Sequence, residues 1–326
     1  MAEQKSNTYL VTGALGCIGA WTVYHLLRQG ERVVSFDLYD RGHRLDLLLT
    51  PQEQQAVTFV RSDLADFARV LGAFKTYGVT HVIHLAALQV PFCRADPVKG
   101  AQVNVVGTVN IFEAARQTGV SHVAYASSIA VYGPPDEYPA GLIAHDAPLA
   151  PRTLYGVYKQ ANEGTARVYW LDHQISSTAL RPYTVYGPGR DQGLTSDPTK
   201  AMLAAAARQP YHINFGGRMQ LQYASDVALQ FIEAARQPLN GAFGFNLGGR
   251  VVDIAEVVSI IRSIKPGAQI TQNENPLPFP EGFDDSELRR HFERVYETPL
   301  EEGVRKTMEH FEARLADGRI KLEAAS

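Results

Sequence analysis

Tyr155 and Lys159 stand four residues apart in Tyr155-Gly-Val-Tyr-Lys159, so on a helix they share one face, a single turn apart. A tyrosine with an unperturbed pKa of about 10 is a poor base near neutral pH. A neighbouring ammonium stabilises the phenolate and lowers that pKa, which equips the pair to take a proton from a hydroxyl group. Ser128 follows the β-prone run Val123–Ala126, where its hydroxyl can bond the same substrate oxygen. A second group near the N-terminus, Gly13-Ala-Leu-Gly16-Cys17-Ile18-Gly19, is spaced G-x-x-G-x-x-G rather than G-x-G-x-x-G. There Gly13 permits a tight turn, Gly16 lets the backbone approach a diphosphate, and Gly19 allows close helix–strand packing. The N-terminus of a following helix adds N–H donors and a positive dipole end. One site holds a dinucleotide and the other moves a proton, which together describe an enzyme of hydride transfer.

The elements that must position these residues read as an alternation of strand and helix. Tyr9–Thr12 is β-prone, the glycines follow at once, and Ala20–Leu27 is an amphipathic helix ending before Gly30. A second strand, Arg32–Phe36, ends in Asp37, 18 positions beyond Gly19 and near the distance of an acid that binds a ribose diol. A carboxylate there accepts from both hydroxyls and repels a 2′-phosphate, favouring NAD over NADP; Arg41 and Arg44, just downstream, are the cations that could receive that phosphate. Strands at 56–60, 80–85, 122–126 and 176–180 and helices at 67–77, 97–118 and 152–173 continue the pattern. The fold class is therefore α/β, a Rossmann-type doubly wound parallel sheet. Past residue 180 the elements shorten and become rich in Gly and Pro, as in a smaller, irregular substrate-binding region. The expected division is an NAD-binding domain at 1–180, a substrate-binding region at 181–320 that interleaves with it across a soft boundary, and a tail at 321–326.

A chain of 326 residues, 45% hydrophobic and 20% charged, has ordinary globular composition. Its formal charge of −3, with no basic stripe, excludes nucleic acid as the expected partner. No apolar run approaches the roughly 20 residues that cross a bilayer, so no membrane association and a cytoplasmic location are expected. Cys17 and Cys93 are too few for a disulfide framework, and Cys17 is read as a small packing residue. His81 and His84 point to opposite faces of a strand, and no metal is expected.

Ten segments, in order, carry a resemblance: Thr12–Gly19, Asp37, Asp63-Leu64, His84-Leu85-Ala86-Ala87, Asn104, Ser127-Ser128 with Val131-Tyr-Gly133, Tyr155–Lys159 with Glu163, Leu180-Arg-Pro182 with Val185-Tyr-Gly-Pro188, Asp226-Val227, and Asn246-Leu-Gly-Gly249. In these the chain resembles the extended short-chain dehydrogenase/reductase family, within its NAD-dependent epimerase/dehydratase group. The resemblance implies that Asp63 and Leu64 contact adenine and that Leu85, Ala86, Ala87 and Asn104 line the cofactor beside Gly13, Gly16, Cys17, Ile18, Gly19 and Asp37. It implies that Tyr155 is the acid/base, that Lys159 also binds the nicotinamide ribose, and that Tyr183 to Val185 flank the nicotinamide. It further implies a homodimer through helices 97–118 and 152–173.

Three departures bear on the substrate. Family dehydratases carry Thr-Asp-Glu before Val-Tyr-Gly, whereas this chain has Ser128-Ile129-Ala130 and no acid to expel water. Nucleotide-sugar members usually have Asn where Thr184 stands. Their arginine before the late helix is replaced in Met219-Gln-Leu-Gln-Tyr-Ala-Ser-Asp226, displaced to Arg218 or lost. A desolvated diphosphate without such a cation is costly. A smaller, sugar-like substrate is expected, a free sugar, aldonate or uronate, with Arg94 and Arg190 as candidate anion grips. Gln89, Ser128, Thr184, Tyr223 and the loop Thr195–Pro198 are candidates for its hydroxyls. The expected reaction is NAD-dependent oxidation of a secondary alcohol, with net dehydrogenation favoured. A nucleotide-sugar epimerase and a non-catalytic NAD-binding regulator are the alternatives.

Overall fold

A computed structural model describes residues 7–321, so most of the 321–326 tail lies outside the described residues. Twelve strands follow in chain order: β1 (Thr8–Thr12), β2 (Arg32–Asp37), β3 (Val57–Arg61), β4 (His81–His84), β5 (His122–Ala126), β6 (Ser176–Arg181), β7 (Thr184–Tyr186), β8 (Tyr211–Ile213), β9 (Arg218–Tyr223), β10 (Ala242–Asn246), β11 (Val251–Asp253) and β12 (Ile270–Gln272). Seven of them make one sheet in the order β10-β6-β5-β4-β1-β2-β3, and every pairing in it is parallel. This is the doubly wound Rossmann-type architecture, and its strand order reverses between β1 and β4, where such sheets open a crevice.

Helices cover both faces of the sheet, and its central strands are buried on both sides; all five residues of β1 are buried. On one face lie the helices Cys17–Arg28 and Ala224–Arg236, with Trp21, Val23, Leu26, Phe231 and Ile232 in the core. On the other, Phe74, Ile111, Phe112, Ala115 and Ala166 come from the helices Phe67–Tyr77, Gly107–Thr118 and Leu154–His173. Each fully buried Val, Leu, Ile or Phe among them contributes about 1.5–3 kcal/mol, and each alanine less. The expected single helix at 97–118 is interrupted: Pro97–Ala101 passes into a π-turn at Gln102–Val106 before Gly107–Thr118 resumes. The wider turn accommodates one extra residue, and it carries Asn104.

After β6 the chain builds a second core around Met202, Phe215, Val257, Ile261, Val304 and Phe311. It holds a small sheet, β11-β9-β7, and the pair β12-β8. β10, though late in sequence, returns to the main sheet beside β6. The two regions thus share the seven-stranded sheet. Among the described residues no helix is long and apolar enough to cross a membrane.

Candidate active site

The glycine turn joins β1 to the helix Cys17–Arg28. Gly13 has a φ of +65°, and a Cβ there would lie 2.7 Å from the backbone of Ala86. At Gly19 a Cβ would lie 2.1 Å from the Gly13 carbonyl oxygen, so the helix approaches the strand more closely than any side chain allows. Gly16 caps the helix without a side-chain hydrogen bond, and the first turn carries no acid. Its leading N–H groups therefore face outward as donors for an anion. At the end of β2, Asp37 accepts from the amides of Leu15 (3.1 Å) and Leu38 (2.8 Å), which fixes its carboxylate beside the turn. This cradle fits a dinucleotide diphosphate, with Asp37 positioned for a ribose. Arg44 is held by Asp191, through Nε at 3.0 Å and Nη2 at 2.6 Å, and is thus already engaged by a carboxylate.

The remaining expected cofactor residues follow the ends of β3 and β4 or, for Asn104, sit in the π-turn. Asp63 accepts from the amide of Ala65 and pairs with the Lys99 ammonium at 2.9 Å, interactions that hold its carboxyl below the usual range. Leu64 is buried under Gly107. Leu85, Ala86 and Ala87 are half-buried in the loop after β4. Asn104 is buried, and both ends of its amide grip Leu88: Oδ1 accepts from its N–H at 2.7 Å and Nδ2 donates to its carbonyl at 2.9 Å. It clamps the loop in place. Burial pushes the Cys17 thiol up to about 11, so it stays protonated at this helix N-terminus. His84 bonds Thr12 and Thr108 and is kept neutral by burial, its pKa lowered to about 3, while His81 stacks on Tyr9. Among the described residues no cluster of three or more His, Cys, Asp or Glu could hold a metal.

Tyr155 and Lys159 lie in the first turns of the helix Leu154–His173, which Thr153 caps by accepting from the Gly156 amide at 3.0 Å. Gly156 lets this helix press on the loop after β5, since a Cβ there would lie 2.1 Å from the Ala130 carbonyl oxygen. The expectation that the Lys159 ammonium lowers the Tyr155 pKa is not realised in this state. Nζ donates to the carbonyl of Ala126 at 2.6 Å and lies 5.6 Å from the Tyr155 ring centre. Burial raises the phenol, opposed by the nearby Ser128 hydroxyl and the positive charge of Arg190; Ser128 Oγ itself accepts from the Ala130 amide at 3.1 Å. Burial also lowers the Lys159 ammonium to about 8.

The structure sorts the candidate substrate residues. Arg190, on the loop after β7, is near enough to influence both Tyr155 and Cys17; its Nη2 donates to Thr195 at 3.1 Å and its Nε is buried without a partner. Gln89 converges on the same place: a Cβ on Gly193 would lie 3.1 Å from Arg190 Nη2 and 3.2 Å from Gln89 Oε1. Thr184 is fully buried with an unpartnered hydroxyl, next to the half-buried Tyr183 and the buried Val185. Arg94 is exposed at the end of the short helix Val90–Ala95, and Tyr223 is buried between Trp21 and Tyr186. In the loop Thr195–Pro198, Asp197 binds Tyr211 and Asn214, which leaves Thr195 as its member beside Arg190.

Sequence reasoning missed a buried network behind Ser128. Glu163 accepts from Ser127 Oγ at 2.5 Å and from Arg181 at 2.9 and 2.7 Å; Arg181 also donates to Tyr132, which donates to Asn246. Glu163 and Asn246 belong to the recognised segments, and that was the one signal available.

A model of the NAD-dependent epimerase/dehydratase family matches residues 9–248. A UDP-glucose 4-epimerase of Mycolicibacterium smegmatis is 37% identical over 185 residues, 56% of this chain and 57% of that protein. UDP-glucuronate 4-epimerase 5 of Arabidopsis thaliana is 33% identical over 56% of this chain and 42% of its own length, so the chain spans about half the length of these relatives. Among solved structures, the NAD complex of the Thermus thermophilus UDP-glucose 4-epimerase superposes with a TM-score of 0.78 at 29% identity, covering 93% of this chain and 98% of that one. An L-threonine dehydrogenase from Cupriavidus necator gives 0.79 at 25%, covering 92% and 99%. The family model spans well over half of the chain, and the chain therefore belongs to the NAD-dependent epimerase/dehydratase family.

Proposed function

We propose that this protein uses NAD to oxidise a secondary alcohol of a small sugar-like substrate that carries a carboxylate, an aldonate or uronate, with net dehydrogenation. The observation that carries this reading is Arg190, whose Nε is buried without a hydrogen-bond partner and whose guanidinium meets Gln89 at Gly193 and donates to Thr195. Arg218, the displaced arginine, instead faces Glu281 at 3.6 Å. A buried guanidinium with a free donor suits a compact anion, whereas an arginine exposed at the start of β9 is not the desolvated cation that a buried diphosphate needs. A nucleotide-sugar 4-epimerase is the second reading, supported by the names of the relatives above.

In this mechanism Gly13, Gly16, Cys17, Ile18 and Gly19 hold the cofactor diphosphate through backbone N–H groups, Asp37 takes the adenosine ribose, and Asp63 and Leu64 border the adenine. Bound NAD supplies the hydride acceptor. Ser128 holds the substrate hydroxyl, and Tyr155 takes its proton as the carbon is oxidised. Lys159 keeps one N–H on Ala126, which leaves two donors for the ribose next to Tyr155. Arg190, Gln89 and Thr195 orient the carboxylate end. In this reading the chain up to about residue 180 holds the cofactor and also brings Gln89, Ser128 and Tyr155 to the substrate, while the chain after it adds Arg190 and Thr195. We also propose a homodimer, because Val98, Val106, Leu154, Val157, Val168 and Leu171 on the two expected helices are all exposed.

The test is a panel of free sugars, aldonates, uronates and nucleotide sugars, followed by NADH absorbance and product stereochemistry. Bulk NADH with an aldonate or uronate supports the proposal. Inversion of a nucleotide sugar without NADH overturns it in favour of the second reading.

A further inference from the structure

Two segments on opposite sides of the glycine turn meet across it. One leaves β2 through Asp37 and reaches Arg44; the other leaves β7 and carries Pro188, Gly189, Arg190 and Asp191. Arg44 donates through Nε and Nη2 to one oxygen of Asp191, His43 bonds the other, and Arg44 Nη1 reaches the Leu15 carbonyl at 3.5 Å. The second segment lies directly on the helix start: a Cβ at Gly189 would stand 3.7 Å from Arg44 Cβ and 3.8 Å from Cys17 Cα. Its base is fastened by Trp21, whose Nε1 donates to the Pro188 carbonyl at 2.9 Å. The Arg44 side chain is 18% exposed and that of Asp191 38%, so the pair is less screened than a free surface pair.

We propose that the Arg44–Asp191 pair is a latch that closes over the dinucleotide diphosphate. The cofactor then leaves when the pair opens, and the loop bearing Arg190 opens with it. Cofactor exchange is thereby coupled to the substrate side of the cleft. The latch rests on the reading of Gly13–Gly19 as the dinucleotide site.

Its test is the release of NADH from the full-length protein, followed by fluorescence after mixing with excess NAD. Asp191→Asn keeps the side-chain shape and removes the charge, and is expected to speed release about tenfold, as Arg44→Gln is. Higher ionic strength is expected to speed release from the wild type and to leave Asp191→Asn unchanged. Release within about twofold of wild type in both variants, with circular dichroism intact, overturns the latch. So does slower release from Asp191→Asn, which makes Arg44 a diphosphate ligand instead. A wild-type protein that binds no NADH overturns the dinucleotide reading itself, and the latch with it.

Discussion

Replacing Lys159 by Met changes how stability depends on pH, and the sign follows from burial. In the unfolded chain the ammonium keeps its proton to about pH 10.5, whereas in the folded chain burial lets it go near 8. Between these values the unfolded state holds this proton and the folded state does not, so the Lys159 contribution to stability rises with pH, while the buried thiols of Cys17 and Cys93 oppose it equally in wild type and variant. At 1.36 kcal/mol per unit the full shift corresponds to roughly 3 kcal/mol, of which roughly 2 kcal/mol is recovered between about pH 7 and 9.5. The window stops there because Tyr125, Tyr186 and Tyr223, whose pKa values burial raises, oppose the trend once unfolded tyrosines ionise near 10. Urea unfolding of cofactor-free wild type and Lys159→Met across that range measures the difference. The wild-type curve should climb relative to the variant by roughly 2 kcal/mol. Parallel curves would refute the claim that Lys159 is a desolvated cation in the folded protein.

Tyr155→Phe should leave NADH affinity nearly intact while lowering turnover by about two to four decades, as measured by steady-state kinetics once the substrate is found. Glu163→Gln leaves Arg181 buried without its anion and should cost about 3–5 kcal/mol in chemical denaturation. Gly19→Ala forces a methyl group into the Gly13 carbonyl and should weaken NADH binding by about tenfold or more in a fluorescence titration. Val157→Glu with Leu171→Glu, two exposed apolar positions on one helix, should yield monomers in light scattering if that face is the dimer contact.

What the sequence disclosed was what lies close along the chain. The strand–glycine–helix unit, Asp37 at the end of β2, and Tyr155 with Lys159 are each defined within one or two elements, and periodicity reveals them. Pairings across the fold were hidden. Nothing in the spacing says that Asn104 clamps Leu88, that Lys159 meets the Ala126 carbonyl, or that Arg44 meets Asp191. Arg94 and Arg190 look alike as loop cations in the sequence. Only the path of the chain after β7 brings Arg190 towards Tyr155, while Arg94 faces outward.

The return of β10 to the edge of the main sheet constrains how such a protein can diversify. Exchanging everything after β6 as a cassette would strip the sheet of its last strand and remove Asn246 from the Tyr132 hydroxyl, so a wholesale graft from a relative would disturb the donor's and recipient's scaffold alike. New specificities are instead accessible by rewriting short exposed stretches such as residues 192–194, between the Arg44–Asp191 pair and the helix Asp197–Ala206, which can vary while the ladder beneath stays intact.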